Sequence, residues 1–360
     1  MLLALVFAWL SRMVPKTGGP YAFARAGLGE LPGFLVAWGY WISFFPGYAA
    51  IAVAGVGYLG FFVPALAAKP LLAALVTVVV IWLVTWVNAR GVREAGGLQL
   101  VTTVLKLLPL VAIGAYGLTT LHLSHFVPFN SSGRSLFSAV SGTAALTLWA
   151  FIGFESATIP AADVTDPGRT IPRATILGTV VAAVIYVAGT VGVMGVIDPA
   201  VLRTSSAPFA DAAAALWGHW AASLVAAGAV VSCFGALNGW TLLLAQLPRA
   251  AAEDGLLPAV FARLSRRGTP AAGLVISNVL VTLLVVTNYT RGLVGAFTFL
   301  ILLATLATLL PYAASALAFL RLEARAGPAV SGPPSAADGP RLAMGGRRSV
   351  VRRGVALLGL

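Results

Sequence analysis

The chain has 360 residues, 59% of them hydrophobic and only 9% charged, whereas soluble proteins carry roughly 25% charged residues. That balance excludes an ordinary soluble domain and predicts an all-α polytopic membrane protein. The formal charge of +12 comes from 23 Lys and Arg against 11 Asp and Glu, and in such a chain the question is which loops hold the basic residues, not which nucleic acid they bind.

Met1 to Leu10 is apolar but rises only about 15 Å, half the hydrocarbon thickness of a bilayer. No basic stretch precedes it and no small-residue cleavage pattern follows it, only Ser11-Arg12, which argues against a secretory signal peptide. The segment reads as the end of a helix. Eight complete spans follow as charge-poor stretches: Leu35 to Phe62, Pro70 to Trp86, Leu98 to Leu121, Ser138 to Ala161, Ala174 to Ile197, Ala213 to Leu247, Ala271 to Thr287 and Leu293 to Leu320. The sixth is too long for one upright helix, so a short amphipathic lead-in is expected before a span starting near Trp220. After Glu323 the composition turns to Gly, Pro, Ala, Ser and Arg without apolar periodicity. This predicts a disordered basic tail, either lying near anionic lipid or replacing further spans.

Orientation follows from the basic residues. One side holds Arg12, Lys16, Arg25, Arg90, Arg93, Arg169, Arg173, Arg249, Arg263, Arg266, Arg267 and the tail; the other holds only Lys69, Arg134, Arg203 and Arg291. The richer side is assigned to the cytoplasm.

Several activities are excluded by what is missing. No G-x-x-x-x-G-K-[ST] loop is present for an ATP-driven pump. Asp163, Asp166, Asp198, Asp211, Asp254 and Asp338 all lie outside the spans, which leaves no aspartate pair for an intramembrane protease. His122 and His125 sit at a span's end and His219 in the lead-in to another, so no buried serine-histidine pair is expected. The single cysteine, Cys233, rules out a disulfide, a Cys-ligated zinc site or an iron-sulfur cluster within one chain. The protein is not expected to be an enzyme, and neither a metal nor another cofactor is expected.

Two ionisable residues remain at membrane depth, Glu155 and Lys106, where burying a charge costs at least ~2.5 kcal/mol. Either could exchange a proton, because burial penalises the charged form. The plainer alternatives are a carboxylate held by backbone amides at Glu155 and a lysine snorkelling to the nearer surface at Lys106. Gly153 and Pro160 flank Glu155 and make its helix easy to break. An unwound stretch at this depth lines a cavity, and its helix N-terminus attracts a substrate carboxylate. Trp149, Ile152 and Glu155 repeat every three residues, which on a helix puts indole and carboxylate on one face. Tyr40, Phe44, Gly47, Tyr48 and Ile51 likewise line one side of the first complete span, an aromatic stripe that core packing alone would also explain.

Three groups of motifs resemble one family. Pro15-Lys-Thr-Gly-Gly-Pro-Tyr-Ala-Phe-Ala-Arg25 resembles the loop after the second helix of the amino acid, polyamine and organocation permeases. Leu148-Trp-Ala-Phe-Ile-Gly-Phe-Glu-Ser156 and Asp166-Pro-Gly-Arg-Thr-Ile-Pro-Arg-Ala174 resemble its sixth helix and following loop. Gly239-Trp-Thr-Leu242, Glu253-Asp-Gly-Leu-Leu-Pro258 and Gly268-Thr-Pro270 resemble its eighth helix and the loop to the ninth. The likeness is strongest to the basic amino acid and polyamine antiporters of the arginine/agmatine type. It implies a transporter fold of two inverted five-helix repeats, truncated at the N-terminus and altered at the C-terminus. Residues 1–12 would then be the end of helix two, 13–321 a core equivalent to helices three to ten, and 322–360 the tail.

The resemblance also assigns roles. Trp149 would stack on a cationic substrate, with Ile152, Ser156, Phe44 and Tyr48 as further substrate contacts. Tyr40, Glu155 and Trp240 would gate the site, and Glu155 and Lys106 would couple it to protons, the lysine standing in the place of a sodium ion. Phe44 and Tyr48 replace a small residue and a polar amide of the arginine antiporters, which predicts weak discrimination for arginine. The implied function is secondary transport of basic amino acids or polyamines in the plasma (inner) membrane, by proton coupling or exchange; a non-transporting fragment is the alternative. The expected partners are that substrate, the lipid bilayer and a second copy in a homodimer, with no nucleic acid.

Overall fold

The computed structural model describes residues 2–90, 95–159 and 164–325, with 95–106 as backbone alone. Thirteen α-helices run in chain order through these described residues: α1 (Leu2–Met13), α2 (Pro20–Leu28), α3 (Glu30–Leu59), α4 (Ala65–Ala68), α5 (Pro70–Ala89), α6 (Ala95–Thr119), α7 (Leu136–Trp149), α8 (Pro167–Val196), α9 (Pro199–Leu202), α10 (Pro208–Trp217), α11 (His219–Glu253), α12 (Ala271–Thr287) and α13 (Gly292–Arg325). There is no strand among them, as the need to satisfy every backbone polar group in lipid predicts.

Among the described residues, five helical stretches are long and apolar enough to cross a bilayer: Glu30–Leu59, Pro70–Ala89, Pro167–Val196, His219–Glu253 and Tyr289–Arg325. The expected eight are therefore not all matched by full-length helices. α7 has 14 residues and α12 has 17, rising about 21 and 25 Å against a core of roughly 30 Å. α5 carries its membrane signature on one face: Leu71, Leu75, Val79, Leu83 and Trp86 recur about every four residues and are each more than half exposed, while Thr77, Val80, Ile81, Val84 and Thr85 are buried opposite. An apolar stripe of that length is stable against lipid and not against water.

Local backbone chemistry marks several boundaries. Gly218, at φ 86°, separates α10 from α11, so the lead-in helix and the span from His219 are distinct. The tail assignment needs correcting at its start, because α13 continues through residues 322–325; residues 326–360 lie outside the described residues. Prolines 46, 109, 172, 248 and 311 sit inside long helices. Each removes a backbone donor.

The chain divides into two compact units. The first comprises Met1–Tyr40, Ile152–Val180 and the chain from Ala307. Its core joins Val6, Phe7 and Leu10 of α1, Phe23 of α2, and Tyr312 and Phe319 of α13. Phe7 stands at the centre, its ring within 5.5 Å of both Phe154 and Tyr312. α2 meets α13 through Gly27, where a Cβ would lie 2.7 Å from Ala318 Cα.

The second unit comprises Trp41–Phe151 and Val181–Leu306. One cluster gathers Ile113 of α6, Val193 of α8, Ala210 and Ala213 of α10, and Ala221 and Val225 of α11. α6 and α8 approach along glycines: a Cβ on Gly117 would lie 2.9 Å from Gly192 Cα, and one on Gly192 2.8 Å from the Ile113 carbonyl oxygen. Small residues at such contacts let helix backbones pack closely where no hydrophobic drive exists between lipid-solvated helices.

Candidate functional site

In the first unit, the sequence around Glu155 does not continue as a helix. α7 ends at Trp149, a turn follows with Gly153 at φ 111°, and a 3-10 turn runs over Ser156–Thr158. Glycine adopts that backbone without Cβ strain. The stretch from Ser138 to Ala161 is therefore not one continuous helix, and the shared helical face inferred for Trp149, Ile152 and Glu155 does not form, because three-residue periodicity has no meaning beyond Trp149. The end of the expected span, Pro160 and Ala161, lies outside the described residues.

The turn delivers Glu155 into the interior, where it is fully buried. Tyr40 of α3 donates its hydroxyl to Oε1 at 2.7 Å. Tyr312 of α13 donates to Oε2 at 2.7 Å, and the Gly153 N–H donates to the same oxygen at 3.1 Å. The carboxyl group is thus held by one backbone amide and two phenols, both themselves buried. Burying a carboxyl with that many donors lessens the desolvation penalty. Ile152 and Ser156 are half-buried in this unit, and the Ser156 N–H donates to the Gly153 carbonyl at 3.0 Å. Tyr312 was missed in the sequence. The available signal was a phenol directly after Pro311 in an apolar stretch, since a buried tyrosine hydroxyl requires a partner.

In the second unit, Phe44 and Tyr48 lie one turn apart on α3 and both are buried. Phe44 meets the Trp240 ring edge to face, centroids 5.4 Å apart. Gly47 makes room for that indole, since a Cβ there would lie 3.0 Å from Trp240 Cζ3. Next to it, the Thr241 hydroxyl donates to the Leu237 carbonyl at 2.7 Å, leaving its oxygen to accept from the Tyr48 hydroxyl at 2.9 Å. Trp149, at the end of α7, is half-buried and stands edge to face with Phe297 of α13, centroids 5.5 Å apart. Thr241 and Phe297 were also missed; neither residue type stands out in an apolar span.

The structure therefore places Tyr40 and Glu155 together in one unit and Phe44, Tyr48 and Trp240 together in the other. The side chain of Lys106 lies outside the described residues. A buried carboxyl held by phenols can hold or release a proton, and indole and phenyl faces can stack on a cation.

The chain matches the amino acid permease family over residues 1–327. It is 33% identical over 332 residues to a cadaverine/lysine antiporter of Escherichia coli K12, covering 90% of this chain and 74% of that one. It is 32% identical over 311 residues to a putrescine transporter of Haemophilus influenzae, covering 86% and 71%. An arginine/ornithine antiporter of Pseudomonas aeruginosa is 33% identical over 322 residues, covering 86% and 67%. With its lipid-facing helices and this match along nearly the whole described chain, the protein is a multi-pass α-helical membrane protein that belongs to the amino acid permease family.

Proposed function

We propose that this protein carries out secondary transport of basic amino acids or polyamines across the plasma (inner) membrane, by substrate exchange or proton coupling. The observation that carries the reading is Glu155, a carboxyl group sealed from water yet held by Tyr40, Tyr312 and the Gly153 amide. A group in that position serves no fold that apolar packing could not serve equally well, and an ionisable residue at membrane depth is most often a proton or substrate site. The relatives, named for cadaverine, lysine, putrescine, arginine and ornithine, support the same substrate class.

In this reading Trp149 stacks on the cationic end of the substrate, Ile152, Ser156, Phe44 and Tyr48 shape its surroundings, Tyr40 and Trp240 gate access, and Glu155 and Lys106 exchange protons. The fold is the inverted repeat of five plus five helices, with a homodimer as the assembly. Calorimetric titration of the purified chain with lysine, arginine, cadaverine, putrescine and leucine tests the substrate class. Binding of the cationic ligands with arginine little preferred supports it, and binding of leucine alone overturns it. Lys106→Ala should uncouple uptake from an imposed proton gradient; an unchanged response removes that residue from the coupling.

A further inference from the structure

Apart from Glu155, a cavity lies between the connection from α6 to α7 and the connection from α8 to α10. It has a volume of about 300 Å³, at the lower end for a small-molecule site, and it belongs wholly to the second unit. Its polar wall is Arg203, Ser131 and His125; its apolar wall includes Phe126, Phe129 and Leu202.

The polar groups are underused. Arg203 donates to the Ser131 hydroxyl over a long 3.4 Å, and among the described residues it pairs with no carboxylate. A guanidinium has five N–H donors in a planar fork that suits an oxyanion. The Nδ1 of His125 is shielded from solvent and has no hydrogen-bond partner among the described residues. No acidic side chain lines the cavity; nearby Asp198 accepts from the Ala200 N–H at 2.8 Å. A cation, a hydroxyl and an imidazole with spare capacity form a site for phosphate oxygens.

The surroundings indicate what bears that phosphate. Leu123, Val127 and Phe129 each stand at least three-quarters exposed on the same connection. The cavity sits where α6 and α8 end, at the side assigned to the outside by the basic residues. Bulky apolar side chains at a span end rest in the headgroup and acyl boundary of the bilayer, not in water. A free phosphate would use the polar wall alone, whereas a phospholipid also covers the apolar wall.

We propose that this cavity binds the phosphate of an anionic phospholipid of the outer leaflet, with Arg203 and Ser131 on the phosphate oxygens and the Phe126 and Phe129 wall against the acyl chain. The test uses the full 360-residue chain in a neutral detergent, with native mass spectrometry reading the binding of a short-chain phosphatidylglycerol, the matching phosphatidylcholine, or inorganic phosphate. Arg203→Gln should weaken phosphatidylglycerol at least ~10-fold, the scale of a lost charge-assisted hydrogen bond. Arg134→Gln removes the same charge from the facing connection, between α6 and α7, without touching the cavity lining, and should leave binding within about two-fold. Phe129→Ser should weaken the lipid several-fold and leave inorganic phosphate unaffected. Equal losses in the two arginine variants would reduce the effect to net charge and overturn the site. Equal binding of both lipids would overturn its choice of an anionic headgroup, and phosphate binding as tightly as phosphatidylglycerol would overturn the lipid. None of these readings depends on transport.

Discussion

The Tyr312 hydroxyl lies 2.7 Å from Oε2 of Glu155, across 157 positions of sequence. With Tyr40 on the other oxygen at 2.7 Å, it ties the turn after α7 to α3 and α13 through one carboxyl group. A fully buried carboxyl group with three donors is held in place and is sensitive to the loss of any one of them.

Tyr312→Phe should therefore destabilise the protein by about 1–3 kcal/mol, the cost of removing a donor from a buried charged or polar acceptor. Thermal unfolding in detergent checks it. In a Glu155→Gln background the same change should cost less, with a coupling of roughly 1 kcal/mol in the double-mutant cycle. Strict additivity would mean that the phenol contributes only packing.

Glu155→Gln should flatten the pH dependence of transport while leaving substrate binding largely intact, because the amide keeps the shape but cannot titrate. Uptake into proteoliposomes across a range of external pH reads the first effect and calorimetry the second. A pH profile that keeps its shape assigns the titration to another group.

Much of this architecture was legible in the sequence, for reasons that residues such as Leu71, Leu75 and Val79 make plain. Lipid imposes apolar length, and the apolar faces and the glycine punctuation survive as pattern. Phe44 and Tyr48 were readable as an aromatic stripe because α3 is a continuous helix that keeps their spacing. Glu155 was readable as the exceptional charge in an apolar stretch. Its partners were not, since hydrogen bonds from Tyr40 and Tyr312 join segments more than a hundred residues apart. The helical face inferred through Trp149 and Glu155 failed because one glycine, Gly153, changes the backbone direction between them.

The glycines between α6 and α8 give a packing test. Gly192→Ala puts a Cβ 2.8 Å from the Ile113 carbonyl oxygen, against backbone that cannot yield cheaply, and should cost about 1–3 kcal/mol. Gly228→Ala, with nothing within 4 Å of the new Cβ, should be neutral or slightly stabilising, since alanine favours helix. Melting temperatures of the two variants that fall equally would contradict the close helix contact.

Ser277 offers a parallel test in the second unit. Its hydroxyl accepts from Trp41 Nε1 at 3.0 Å and donates to the Leu244 carbonyl at 3.3 Å, joining α3, α12 and α11. Ser277→Ala leaves a buried indole N–H without that acceptor and should cost about 1–3 kcal/mol. Thermal unfolding measures it, and a loss well under 1 kcal/mol would show that the link is dispensable.

Trp149→Leu should weaken cationic ligands by about 1 kcal/mol, several-fold in Kd, and neutral ones less, because leucine keeps apolar bulk but loses the ring face. Calorimetry with lysine, cadaverine and leucine compares them. Equal losses for charged and neutral ligands would make Trp149 a packing residue only.

Exchange or proton-coupled movement of basic amino acids or polyamines is read out by uptake of radiolabelled lysine into proteoliposomes holding the purified chain. The vesicles are preloaded with lysine, cadaverine or buffer, with and without an imposed proton gradient. Such transport should give uptake above protein-free vesicles that is accelerated by internal cationic substrate or by the gradient, and competed by external arginine or putrescine but not by leucine. Uptake indistinguishable from protein-free vesicles under every condition, or competed by leucine alone, would contradict it.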